Sequence, residues 1–124
     1  MSRALFFAFA LICAAPAFAE TRFFAAVEDL PLAPGLAETS AGFSFSGADG
    51  RIIVAEAEGR VAPGAVRDFY LAALPALGWS FSPGGDGFAF RRGRERLTLF
   101  VSPRVGGSRI DARLVVAPAA MSGD

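Results

Sequence analysis

The sequence predicts an α+β fold: an antiparallel sheet of about five strands, ordered β-β-α-β-β-β, with one helix covering one face. Three observations predict it. One stretch, residues 61–79, carries apolar residues at helical spacing. The segments around it alternate apolar and polar residues with the period of two that a strand requires. Gly93-Arg94 stands between two such runs as a two-residue Gly-X loop, the signature of a type II′ hairpin.

The helix organises the rest. Val66, Phe69, Tyr70, Ala73, Leu74 and Leu77 fall on one stripe. Pro63 suits the first turn, where a missing N–H costs nothing. Pro75 removes the bond to the Leu71 carbonyl, so the last turn should kink or tighten. Gly78 is placed to end the helix, and Trp79 to open a strand.

Taken in order, residues 1–19 read as a secretory signal peptide. Arg3 supplies the positive start, Ala4 to Ala14 the apolar run, and Ala17-Phe18-Ala19 the cleavage site. Removal leaves 105 of the 124 residues, and the one cysteine, Cys13, leaves with it. Such a chain is one domain held by packing alone, in the periplasm or outside the cell. No membrane span is expected after cleavage. Twelve arginines, no lysine and abundant alanine and glycine suggest a bacterial, GC-rich origin.

Residues 20–41 read as an irregular lead-in segment, broken by Pro31, Pro34 and Gly35, that lays Leu30, Leu32 and Leu36 over an edge of the core. Residues 42–117 are the single α+β domain. Within it, Gly42–Ser46 is a short strand and Gly47–Gly50 a turn. Arg51–Arg60 is a strand with Ile53, Ala55 and Ala57 inward, placed under the helix. After the helix, Trp79–Phe81 begins a strand and Ser82–Gly87 is a loop. The hairpin then pairs Arg92 with Glu95, Arg91 with Arg96, Phe90 with Leu97 and Phe88 with Leu99. Pro103–Ser108 turns the chain into a last strand, Arg109–Val116, and residues 118–124 form a disordered tail.

Val66, Phe69-Tyr70, Leu74-Pro75 and Leu77-Gly78-Trp79, followed by Phe90-Arg91 and Leu97 to Leu99, carry a resemblance. The chain resembles, over about residues 50–116, small exported bacterial proteins of uncharacterised function with a V-x-x-F-Y…L-P-x-L-G-W helix followed by a β-hairpin. The resemblance implies the α+β fold. It transfers no catalytic or binding residue.

Absent residues exclude much chemistry. There is no histidine, no lysine and no cysteine beyond Cys13, so the exported chain has no imidazole base, thiolate or Cys/His metal site. No cofactor is expected. A formal net charge of +0 argues against bulk nucleic-acid binding. Glu56 and Glu58 share one side of a strand, and paired carboxylates can hydrolyse glycosides, but on a solvated strand they read as surface. The prediction is a non-enzymatic protein.

The arginines are the candidate site. The hairpin register sets Arg91 beside Arg96, and Arg109 and Arg113 project to the same face, with Phe100 among them. Guanidinium groups suit carboxylates and phosphates. The expectation is an accessory or adaptor domain that binds an envelope protein partner through the open sheet face. The alternative is a module for an anionic small molecule, lipid head group or cell-wall polymer. A homodimer closing that face is a further possibility, as is a plain solvated face on which Asp111, Glu56 and Glu58 pair with the arginines.

Overall fold

A computed structural model describes residues 22–82 and 87–118 of the 124. The expected signal peptide, its cleavage site, most of the Ser82–Gly87 loop and the tail from residue 119 lie outside the described residues. The elements are β1 (Leu36–Glu38), β2 (Phe43–Gly47), β3 (Gly50–Gly59), α1 (Pro63–Ala76), β4 (Ser80–Ser82), β5 (Phe88–Arg92), β6 (Glu95–Arg104) and β7 (Gly107–Val116). All strand pairings are antiparallel, in the order β1-β3-β7-β6-β5-β4, with β2 also on β3.

The α+β class holds, but the sheet has seven strands, not about five. β1 lies inside the segment read as irregular. It is three residues long, between Pro34-Gly35 and Ser40-Ala41-Gly42, too short for alternation to show. β1 and β2 are two pieces of one edge strand. Glu38 pairs with Ala57 and Phe43 with Val54, so four residues lie opposite two and the edge bulges outward there. The last two strands also run further than expected. β6 continues through Pro103, and only Val105-Gly106 lie in the turn. β5 stops at the Phe88–Leu99 pair, so β6 beyond Leu99 is an edge, the setting in which a strand tolerates proline.

The hairpin register is as expected, from Arg92–Glu95 to Phe88–Leu99. Gly93 has φ +58° and, among the described residues, no non-glycine residue has positive φ, which fits a II′ loop and excludes I′.

The helix buries Val66, Tyr70 and Leu74 completely, with Phe69 and Ala73 at the margin. Its main contacts are to β4, β6 and β7. Leu77 does not join the buried stripe, because the helix has already ended. Trp79 N–H donates to the Leu74 carbonyl and Gly78 N–H to the Pro75 carbonyl, with Gly78 at φ +90°. This is the Schellman arrangement, and it supplies acceptors' partners that a further helical turn would have supplied. It also turns Trp79 into the core, so β4 begins one residue later, at Ser80.

The core lies on one side of the sheet. Ile53, Ala55 and Ala57 of β3, Phe88 and Phe90 of β5, Leu97 and Leu99 of β6, and Ile110, Ala112 and Leu114 of β7 line the helix side of the sheet, although β3, expected under the helix, is not among the strands it mainly contacts. Phe24, Val27, Leu30, Leu32, Ala33 and Leu36 of the lead-in segment join them. Each large side chain buried this fully contributes about 1.5–3 kcal/mol. Tyr70 ties the segment to the helix. Its hydroxyl donates to the Pro31 carbonyl at 2.7 Å and accepts from Ala33 N–H at 3.2 Å. Burial pushes the phenol's ionisation well above its ordinary range, against a smaller opposing effect from the Ala33 bond.

At the sheet's end, the Arg92 guanidinium stacks 4.2 Å from the Trp79 ring centre and pairs with Asp29 and Glu95. Partial burial disfavours its charge, but the two carboxylates outweigh that and hold Arg92 above its ordinary value.

Candidate functional site

The pleat sends alternate residues to the face opposite the helix, and the register fixes their neighbours. Three zones result. At one end stand Glu56 and Glu58 of β3 with Arg109 and Asp111 of β7. In the middle and toward the β2 edge stand Phe43, Phe45, Ile52, Val54 and Phe100. Toward the far side stand Arg113, Arg96 and Arg91.

The first zone is an ion-pair cluster. Arg109 Nε lies 3.2 Å from both Asp111 oxygens, and Nη2 lies 3.0 Å from Oδ1. The guanidinium also pairs with Glu56, more loosely with Glu58 at 3.8 Å, and Arg104 approaches Glu58 at 3.7 Å. The hydrogen bond and charge of Asp111, then Glu56 and Glu58, hold Arg109 above its ordinary value. Arg109 is therefore taken up within the protein. Glu56 and Glu58 share that cation on an open strand, which gives them the character of a surface ion-pair network. Among the described residues, no group of three His, Cys, Asp or Glu side chains is placed to hold a metal ion.

The third zone differs. Arg91 and Arg96 are direct cross-strand neighbours, about 5 Å apart at Cβ. Arg113 is the diagonal neighbour of Arg96, about 7–8 Å away. All three are exposed, and none has an ion-pair partner among the described residues. Like charges directly opposite are unfavourable unless an anion intervenes.

Between the zones runs a groove of about 430 Å³. Phe43 and Phe45 wall it on the β2 side, Phe100 on the β6 side, and Ile52, Val54 and Arg113 line its floor. Phe43, Phe45 and Phe100 are 54 %, 64 % and 39 % exposed, and Phe43 meets Phe45 edge-on at 5.2 Å. Of the five residues expected to bind, Arg113 and Phe100 line the groove, Arg96 and Arg91 follow Arg113 outward on the same face without lining it, and Arg109 is separated from them. Phe43 and Phe45 were not among the expected residues. The tight Gly47–Gly50 turn was the available signal, since it sets Phe45 opposite Ile52 and Phe43 opposite Val54.

A larger hollow, about 730 Å³, opens on the helix side between residues 25–29 and β2, β3 and β7. Glu28, Asp29, Glu95 and Arg51 line it, so it offers no single sign of charge, and Phe43 is the one aromatic residue along it. Among the described residues, no helix is long and apolar enough to cross a membrane. No protein-family model, no curated protein and no solved structure matches this chain.

Proposed function

We propose that this protein is a non-enzymatic accessory domain, exported from the cytoplasm, that docks a protein partner on its open sheet face. One observation carries the reading: three exposed phenylalanines wall a groove lined by Arg113, with Arg96 and Arg91 beyond it on the same face, and none of the three arginines has an ion-pair partner among the described residues. A contiguous apolar patch with a charged rim is the anatomy of a docking surface. Arginine and phenylalanine are also residue types enriched at such interfaces.

A photo-crosslinking residue at position 100, introduced in living cells, tests it. One dominant protein adduct is expected, lost when Arg91, Arg96 and Arg113 are all changed to alanine in a chain that still folds. Absence of any protein adduct overturns the reading.

The facing pair Arg91 and Arg96 favours a second reading, an anionic small molecule, lipid head group or wall polymer. Such binding weakens steeply with salt and leaves no protein adduct.

A further inference from the structure

We infer that two copies of this chain pair edge to edge through β2, antiparallel, about a two-fold axis at Phe45. β2 is the outer strand of its side of the sheet. It pairs only with β3, and among the described residues no other backbone group bonds to it. All five of its residues are exposed. Its sequence, Phe-Ser-Phe-Ser-Gly, holds no charge and no proline, two of the devices that keep an edge from pairing, and the outward bulge at residues 39–42 ends before the strand begins. The opposite edge, β4, offers three residues.

The strand complements itself. With the axis at Phe45, all five residues overlap. Phe45 meets the second copy's Phe45, Ser44 meets its Ser46, and Phe43 meets its Gly47. Residues 43, 45 and 47 share the open face, and a side chain built at Gly47 would meet nothing within 4 Å. The second copy's Phe43 ring therefore has open space to occupy. Aromatic residues opposite edge glycines are a recognised stabilising pair.

Charge selects a second copy over an acidic partner strand. The free cation nearest β2 on this face, Arg113, stands on β7, two strands inward. An added strand would lie three spacings from it, about 14 Å. A strand bound at this edge meets no charge on the open face; on the other face Arg51 stands opposite Ser46 and shares its hollow with Glu28, Asp29 and Glu95, so neither face selects an acidic strand, and β2 itself is uncharged. The axis runs perpendicular to the sheet, so both open faces look the same way. The four phenylalanines form one seam, and the two Arg113 residues stand five strand spacings apart, about 24 Å measured across the strands. The docking face becomes bivalent.

Register-specific oxidation tests this. Ser44→Cys and Ser46→Cys are made separately in the full chain carrying Cys13→Ser, which removes its one other thiol. Mixed, the two variants should form a disulfide-linked pair. Alone, neither should, because each would face its own copy diagonally at about 7–8 Å, beyond disulfide reach. No linkage in the mixture, or efficient linkage of Ser44→Cys alone, overturns the inference.

Sedimentation equilibrium provides a second reading. The wild-type chain should show twice the single-chain mass. Phe45→Glu, which sets two carboxylates face to face at the axis, should weaken pairing at least tenfold with unchanged circular dichroism. A wild-type chain of single mass at about 100 μM, a loading well above a micromolar dissociation constant, or a Phe45→Glu chain that still pairs, overturns it. The triple arginine variant should keep the doubled mass while losing the position-100 adduct, so pairing and partner docking fail separately.

Discussion

Tyr70→Phe isolates one hydroxyl. The side chain is fully buried, and its oxygen joins the helix to the lead-in segment through the Pro31 carbonyl and Ala33 N–H. Phenylalanine keeps the ring and leaves two buried backbone groups without a partner. Orphaning buried groups costs about 1–3 kcal/mol. For a domain of this size, about 2 kcal/mol lowers Tm by roughly 8–16 °C. Because Tyr70 is the chain's one tyrosine, tyrosinate absorbance reports it alone. Burial raises its folded-state value above the ordinary 10.0, so on raising pH the unfolded chain gives up the proton first. Stability is therefore full below about pH 10 and falls as pH rises above it. Tyr70→Phe should be less stable at neutral pH and should lack that alkaline slope. Amide exchange should quicken first at Ala33. A variant within about 0.5 kcal/mol of wild type, the range of surface changes, or one with the slope intact, would refute this account of the lead-in segment.

Three further substitutions probe separate features. Arg92→Ala removes the cation over Trp79, two ion pairs and a bond to the Leu77 carbonyl, and should cost about 1–2 kcal/mol. Its readout is the chain's one tryptophan, whose emission should shift to the red, and an unmoved spectrum would count against the stack. Gly59→Ala should cost about 1–3 kcal/mol in denaturant melts, because its Cβ would stand 2.1 Å from the Gly35 carbonyl oxygen. A neutral result would mean that the two backbones separate freely. Arg109→Gln leaves Glu56, Glu58 and Asp111 facing one another, so its stability deficit should shrink as salt rises. A deficit independent of salt would point to lost packing instead.

The elements that sequence reading recovered are those with a local rule. A two-residue Gly-X loop admits one register, and the apolar and charged residues of residues 88–99 agree with it. The Val66, Tyr70 and Leu74 spacing and Gly78 mark the helix and its end in the same local way. What escaped depends on distant contacts. β1 is a strand because it finds the end of β3, not because three residues of Leu-Ala-Glu demand it. Arg109 and Arg113 stand on the same strand and the same face, four residues apart. They differ because Glu56 and Asp111 crowd the first, while Val54 and Thr98 flank the second. That distinction requires the β3–β7 register, which no short loop encodes.

The two faces of the sheet have unequal resources. A 14-residue helix is about 21 Å long and about 10 Å wide. The sheet spans six strand positions, about 24 Å across. One helix cannot roof it, and the lead-in segment is recruited to seal the remainder, which explains why Phe24 and Leu30 are nearly as buried as the helix stripe. Nothing among the described residues roofs the opposite face. Stability of the core gives no reason for phenylalanine at positions 43, 45 and 100, since threonine would serve the pleat there as well. The apolar area left on that face is what the proposed partner over the groove and the proposed second copy along β2 would cover.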